Sequence, residues 1–310
     1  MMKRESKKKG RGIFPDLIRD RQLYLMLVPV LLYYIIFYFK PLGGLKMAFQ
    51  DYKPFLGIEG SAWVGWDNFI TYLTGPYFKR TFRNTIVISL LNLVFSFPIP
   101  IILAFLFNEV RSRRARTVYQ TISYLPHFIS SVVVCGIVIE FLSPSDGLIN
   151  ILIQKLGGES IYFLTKPEWF RTIFILQGIW QGAGFGSIMY YSALCGIDTS
   201  LYEAVAIDGG GRLRQLWHIA LPGIAPTIAV TLIMQIGNIL SVGSEKIILL
   251  YTPSTYETAD VISSYVYRVG MEGGNYSLST AVGLFNGMIS LVLVICANKV
   301  SKKVGEISVI

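Results

Sequence analysis

The chain has 310 residues, of which 53% are hydrophobic and only 15% charged, and its mean hydropathy is +0.52. A water-soluble domain ordinarily carries about 25% charged residues, so a soluble globular fold is excluded and a polytopic membrane protein is expected. The net charge of +9 does not point to nucleic acid: its densest cluster, Lys3 to Arg11, lies just ahead of an apolar run and is explained by membrane topology and anionic inner-leaflet lipid.

A helix needs about 20 residues to cross the hydrocarbon core. Six uncharged apolar runs of about that length follow in chain order: Leu23–Phe39, Thr85–Phe107, Val118–Ile139, Thr172–Gly196, Ile224–Val242 and Leu278–Ala297. They predict an all-α fold of six transmembrane helices. Residues 1–22 form a basic tail, 23–298 the membrane body and 299–310 a second short tail. The first run is retained as a span, because Lys40-Pro41 follows it where a signal peptide would carry small residues. Pro98 and Pro100 are expected to kink the second helix, and the third is expected to run unbroken.

Between the runs, Pro41 to Asn84 forms an outer segment carrying Trp63 and Trp66, aromatic residues suited to a membrane interface or a docking surface. Cys135, Cys195 and Cys296 fall in or beside spans and read as packing residues. His127 and His218 are too few and too far apart for a metal site. Orientation follows from the basic residues. With both termini in the cytoplasm, 17 of the 28 Lys and Arg face inward: Lys3, Arg4, Lys7, Lys8, Lys9, Arg11, Arg19, Arg21, Arg111, Arg113, Arg114, Arg116, Arg212, Arg214, Lys299, Lys302 and Lys303.

The fourth and fifth runs are separated by a polar island over about 197–223. Glu203 to Asp208 suits a short helix capped by Asp198 or Thr199. Gly209-Gly210-Gly211 must end it, since glycine enters the left-handed conformation without the usual cost of about 1–2 kcal/mol. Arg212 to Ala220 suits a second helix, whose continuation Pro222 limits unless the chain kinks. Such a helix–turn–helix fits a groove on a soluble partner, and its pattern equally suits an amphipathic connector lying on the lipid surface. The chain holds no G-x-x-x-x-G-K-[ST] loop, no G-x-S-x-G elbow and no H-E-x-x-H, so nothing in it predicts an ATPase or a membrane enzyme. No acidic pair lies inside a span, as a proton-driven carrier would need. A standalone channel or carrier is the alternative of a different class.

Glu203-Ala204-Val205, then Gly209 and Ile219-x-Leu221-Pro222, resembles the E-A-A-x3-G-x9-I-x-L-P coupling motif of ATP-binding-cassette (ABC) importer permeases, with Val205 in place of the motif's alanine. Val64-Gly65-Trp66-Asp67-Asn68 is similar to a stretch of the carbohydrate-importer permeases related to those for maltose and glycerol phosphate. Gly243 to Tyr251 and Tyr256 to Ile262 resemble the LplB-like oligosaccharide branch. The resemblance implies a type I importer permease in the bacterial cytoplasmic membrane. It further implies a second permease subunit, two ATPase subunits that bind ATP and Mg, and an extracellular solute-binding protein. Glu203, Ala204, Gly209, Ile219, Leu221 and Pro222 would then meet the ATPase.

For the pathway, Gln235, Asn238 and Val242 share a helical face at i, i+3 and i+7, flanked by Ser241. Trp180, Gln181, Gly182 and Phe185 form an aromatic–amide cluster at mid-span. Aromatic faces with uncharged hydrogen-bonding groups suit a sugar; the same amides also suit bonds between helices, as does Asn286. The spacing of sugar-contacting positions in maltose-type permeases favours Gly182, Phe185, Gln235 and Asn238. No Lys or Arg lies within a predicted span, which agrees with a neutral oligosaccharide and sits awkwardly with the aldouronates associated with that branch. A polyol phosphate is the alternative solute.

Overall fold

The computed structural model describes residues 21–240 and 243–305. The basic tail ahead of Arg21, the Ser241-Val242 end of the fifth predicted segment and the last residues of the C-terminal tail lie outside them. The fold is almost entirely helical. In chain order the helices are α1 (Arg21–Phe49), α2 (Asp67–Thr74), α3 (Phe78–Glu109), α4 (Arg113–Phe128), α5 (Ser131–Phe141), α6 (Leu148–Lys155), α7 (Pro167–Cys195), α8 (Thr199–Ile207), α9 (Arg212–Gly237), α10 (Ser244–Leu250), α11 (Ile262–Tyr267) and α12 (Tyr276–Gly305). One antiparallel ribbon, β1 (Gln50–Asp51) with β2 (Ala62–Trp63), sets Gln50 opposite Trp63 after α1.

Four of these helices, α1, α3, α9 and α12, are long and apolar enough to cross a membrane. The fourth predicted segment is the 29-residue α7. It has the length but is less apolar, because Gln177, Gln181 and several glycines interrupt it. Those residues are there because α7 is the centre of the molecule, packed against α3, α4, α5 and α9. Its outer half joins Ile88, Cys135, Phe170, Phe174, Ile175, Ile247 and Leu250 in one cluster, and its inner half joins Ala104, Tyr190, Leu194, Ala220 and Ile224 in another. Helices in lipid associate by close packing rather than by escape from water. Accordingly α4 sits directly on α7 at Gly184, where a Cβ would fall inside the Ser123 carbonyl.

The third predicted segment is not one helix. α4 and α5 meet at a bend of 98° over the break at Ile129-Ser130. Pro126 cannot donate a backbone bond, Ile129 is extended, and Ser130 restarts the chain as an N-cap whose hydroxyl accepts from the Val133 N–H at 3.4 Å. The carbonyl freed at Ile129 accepts from Gln181 Nε2 at 2.9 Å. Irregular backbone at membrane depth needs such a partner.

One proline in each of α1, α3 and α9 is handled differently. Each is preceded by a single π turn, Ile35–Phe39 before Pro41, Asn92–Ser96 before Pro98 and Leu216–Ala220 before Pro222. In each, the N–H just ahead of the proline (Lys40, Phe97, Leu221) reaches back five residues instead of four. Widening the turn makes room for the ring that would strike the preceding carbonyl. The kink expected at Pro98 and the limit expected at Pro222 do not end either helix: α3 and α9 run through both.

At the end of α3 opposite Glu109, a fully buried carboxylate ties three elements together. Asp260 accepts from Arg80 at 2.7 Å, from Arg268 at 2.8 and 3.1 Å, and from the Ser264 hydroxyl at 2.9 Å. Burial works against the charge of Arg268, but the bonds and field of Asp260 more than offset it and hold the guanidinium above its ordinary range. Asn84 donates to the carbonyls of Glu257 and Asp260 at 2.9 and 3.0 Å, and takes a bond from Arg171 of α7 at 2.9 Å. Removing one partner of a buried ion pair costs about 3–5 kcal/mol. Asp260→Asn should therefore lower the unfolding temperature of the purified protein clearly, while Glu159→Gln on an exposed loop should leave it within the small effect of a surface change. Equal melting of the two variants would remove the clamp from this account.

Candidate functional site

A cavity of about 530 Å³ opens at mid-depth between α3, α7 and α9. Ser89, Asn92 and Ser96 line it from α3, Gly178, Gly182 and Gly186 from α7, and Thr231, Gln235 and Asn238 from α9. The three glycines leave gaps in the α7 wall between the side chains of Ile179, Met189 and Tyr190. Tyr190 and Thr231 share a hydroxyl–hydroxyl bond of 2.9 Å, and the Ser89 hydroxyl donates to the Ile239 carbonyl. Gln235 and Asn238 are exposed to the cavity space. No charged side chain belongs to the lining. Among apolar side chains such as Leu93, Ile179 and Met234 the wall offers hydroxyls, amides and the rings of Phe97 and Tyr190, a set suited to uncharged hydroxyl groups of a ligand.

Of the pathway residues expected from sequence, this cavity brings together Gly182, Gln235 and Asn238. It does not include Trp180, Gln181 or Phe185. Trp180 is half exposed two residues from Gly178 and Gly182, on the other side of α7. Gln181 is buried, takes a bond from Gln177 at 3.1 Å and holds the broken backbone at Ile129. Phe185 stacks on His127 with ring centres 3.9 Å apart. Ser241 lies outside the described residues. The face expected to run on to Val242 is interrupted, because α9 ends at Gly237 and Asn238 is its C-cap, its N–H and its side-chain amide both donating to Met234. Asn286 donates to the Leu240 carbonyl at 3.4 Å, a bond between elements. The α3 contribution was not anticipated, although Ser89, Asn92 and Ser96 recur at i, i+3 and i+7 in an apolar run and so mark one polar stripe.

The polar island forms the expected helix–turn–helix. Asp198 caps α8 by accepting from the Ser200 N–H at 2.9 Å, a bond that holds its carboxyl below the usual range. Gly209 has φ +74°, and two bonds close the turn: Gly209 N–H to the Ala206 carbonyl at 3.1 Å and Gly210 N–H to the Val205 carbonyl at 2.8 Å. That crossed pair is a Schellman ending. Gln215 of α9 donates back to the Tyr202 carbonyl at 3.1 Å, fixing the two helices to each other. Arg212 pairs with Glu109 at 3.3 Å, which places the island at the Glu109 end of α3. Glu203 and Ala204 are exposed, as are Gly209 and Pro222, while Ile219 and Leu221 are half-buried. Around them Leu201, Ile207, Leu213 and Trp217 present large apolar side chains to the outside.

With this geometry in view, residues 96–304 match the family described as binding-protein-dependent transport system inner membrane component. The chain belongs to that family. It is 46% identical to the polygalacturonan/rhamnogalacturonan transport system permease protein YteP of Bacillus subtilis over 300 residues, which is 97% of this chain and 94% of that one. It is 44% identical to protein LplB of the same organism over 95% of this chain and 93% of that one. The sn-glycerol-3-phosphate permease protein UgpA of Shigella flexneri is more distant, at 28% over 89% of this chain and 92% of that one. A crystal structure of a bacterial alginate ABC transporter, in complex with a periplasmic protein carrying an alginate pentasaccharide, contains a chain that superposes with a TM-score of 0.89. The identity is 46% over 96% of this chain and 100% of that one. The protein is thus an inner-membrane transport permease of the ABC importer class, one that works with a binding protein.

Gln181 and Gln235 separate a structural amide from a cavity amide. Gln181→Leu strands the Ile129 carbonyl, at a cost of about 1–3 kcal/mol, and should lower the unfolding temperature of the purified protein. Gln235→Leu, at an exposed position with no partner to strand, should leave that temperature unchanged. A stable Gln181→Leu protein would show that the break is held by something else.

Proposed function

We propose that this chain is one of two permease subunits of an ATP-driven importer of oligosaccharides cut from an acidic polysaccharide, with the cavity between α3, α7 and α9 as its share of the pathway. The observation that carries the reading is the lining itself: a cavity within the roughly 300–1,000 Å³ usual for small-molecule sites, in which hydroxyls, amides and glycine backbone are set among apolar side chains such as Leu93, Phe97, Ile179 and Met234, with no charged residue. The relatives support the substrate class, since YteP is named for polygalacturonan and rhamnogalacturonan and the superposed structure for alginate. The weaker likeness to UgpA disfavours a polyol phosphate.

In this reading six spans cross the membrane with both termini inside, and α7, less apolar than the others, is shielded at the centre of the bundle. A partner permease completes the pathway, two ATPase subunits supply ATP hydrolysis with Mg, and an extracellular solute-binding protein delivers the sugar. Glu203, Ala204 and Gly209 enter a groove on the ATPase. Ile219, Leu221 and Pro222 carry its movement into α9, whose far end presents Gln235 and Asn238 to the cavity. Because α9 is continuous through Pro222, a displacement at Gly209 reaches the cavity along one helix of 26 residues.

Two measurements test this. In proteoliposomes containing all subunits, Gln235→Leu/Asn238→Leu should cut sugar uptake by about one order of magnitude per group, from unpaired sugar hydroxyls costing about 1–3 kcal/mol each. Gly209→Val, forced into a left-handed conformation that L side chains resist, should instead depress substrate-stimulated ATP hydrolysis. Normal uptake in the first variant would place the pathway elsewhere, and normal stimulation in the second would remove the turn from coupling. For topology, cysteines placed at Ser112 and Gly211 should react in intact cells only with permeant reagents, and one at Ser254 also with impermeant ones. The reverse pattern would overturn the orientation.

A further inference from the structure

The outer end of the molecule, opposite the helix–turn–helix, holds an excess of positive charge that the fold does not use. Lys79, Arg80 and Arg83 sit in the first two turns of α3, Arg171 at the start of α7, and Arg268 just after α11. Sequence hydropathy ends the second and fourth spans just inside these residues, but the helices continue outward through them. Arg80 and Arg268 are taken up by Asp260, and Arg171 is tethered to Asn84 and to the Thr258 carbonyl. Lys79 and Arg83 are exposed, and among the described residues no carboxylate lies within ion-pair distance of either. They flank a cavity of about 260 Å³ whose other walls are Pro76, Arg80, Asn84 and Glu257.

This arrangement is unfavourable for the protein alone. Lys79 and Arg83 are like charges at i, i+4, and Arg171 feels the field of Arg83. All three α3 cations lie at the helix end whose own dipole is positive. On the outer side of a membrane protein they also run against the usual inward bias of basic residues. One exposed carboxylate, Glu257, is the sole acidic wall of the cavity. The repulsion between the cations and their conflict with the helix dipole are relieved by a bound anion held on the side of Lys79 and Arg83 away from Glu257. Arg171 lies seven residues before Gly178, and Arg83 six before Ser89, so the pocket is about 10 Å along the helices from the uncharged cavity. A short oligosaccharide spans that distance.

We propose that the Lys79–Arg83 pocket binds a uronate carboxylate of the incoming oligosaccharide, so that charge is read at the mouth and hydroxyls are read in the uncharged cavity below. This rests on the oligosaccharide reading above and supplies the cation that the cavity lacks. It also assigns selectivity for acidic over neutral sugar to two residues that make no structural bond.

The test uses the complete transporter in proteoliposomes, with trigalacturonate and its fully methyl-esterified, neutral form as probes, each ligand's affinity for the binding protein being measured separately. For Lys79→Gln/Arg83→Gln the ratio of the acid's KM to the ester's should rise about tenfold, the scale of steering by a charged cleft. The salt dependence of acid uptake should fall with it. Lys79→Arg/Arg83→Lys, which keeps both charges, should restore the wild-type ratio. An unchanged ratio, or equal losses for acid and ester, would overturn the proposal. So would weaker docking of the binding protein irrespective of its ligand, which would make the patch a protein contact. Wild-type uptake of the ester but not the acid would sink this site alone, whereas uptake of neither would sink the oligosaccharide reading on which it rests.

Discussion

Every backbone N–H and C=O at membrane depth must find a partner within the protein, because hydrocarbon offers none. The architecture is organised around the places where this chain cannot meet that demand with a regular helix. Three prolines are absorbed by π turns, so α1, α3 and α9 keep their length and direction. At Pro126 the chain gives up the helix, turns through 98° and hands its free carbonyl to Gln181. The need for that acceptor and for close approach of α4 explains why α7 carries amides and glycines at its centre, and why it is both the least apolar long helix and the most surrounded one.

Polar groups in this chain are sorted by depth and by charge. Full charges are confined to the two ends: Asp260 with its arginines at one, Glu109 with Arg212 at the other. Between them the lining of the cavity is neutral. A charge in the middle would carry a large desolvation cost, while hydroxyls and amides keep a route open to a hydroxyl-rich ligand at a far smaller one. The buried Asp260 clamp has a mechanical consequence. It locks α3, α7 and the segment around α11 together at one end, while at the other α3, α7 and α9 are held by the packing of Ala104, Tyr190, Leu194, Ala220 and Ile224 and by an exposed ion pair of the kind worth little.

The helix–turn–helix also accounts for the chain's one departure from the coupling motif. Val205 lies at the carbonyl that the Gly210 N–H must reach, and a Cβ on Gly210 would come within 2.5 Å of the Val205 methyl. A bulkier side chain at that position is accommodated because the residue opposite it has none. The turn stays closed, Gly209 keeps its left-handed conformation, and the exposed face around Glu203 is undisturbed.

The sequence by itself determined that the chain lives in a membrane and where its apolar runs lie. It also determined the capped helix, glycine turn and second helix of the island, because hydropathy, N-capping and the left-handed preference of glycine are local properties. The tertiary structure decided what depends on neighbours. Pro98 reads locally as a kink and Pro222 as a limit, yet the helix passes through each by way of a π turn, whereas Pro126 does break its helix, with Gln181 in place to receive the carbonyl. Gln181 and Gln235 are the same residue type at similar depth, yet one mends backbone and the other faces open space, a distinction set by which helix lies opposite. The polar stripe of Ser89, Asn92 and Ser96 was present in the sequence, but only the packing of α3 against α7 and α9 turned it into a wall. The pairing of Asp260 with Arg80 spans 180 residues, and no local pattern encodes a contact that chain folding alone brings within reach.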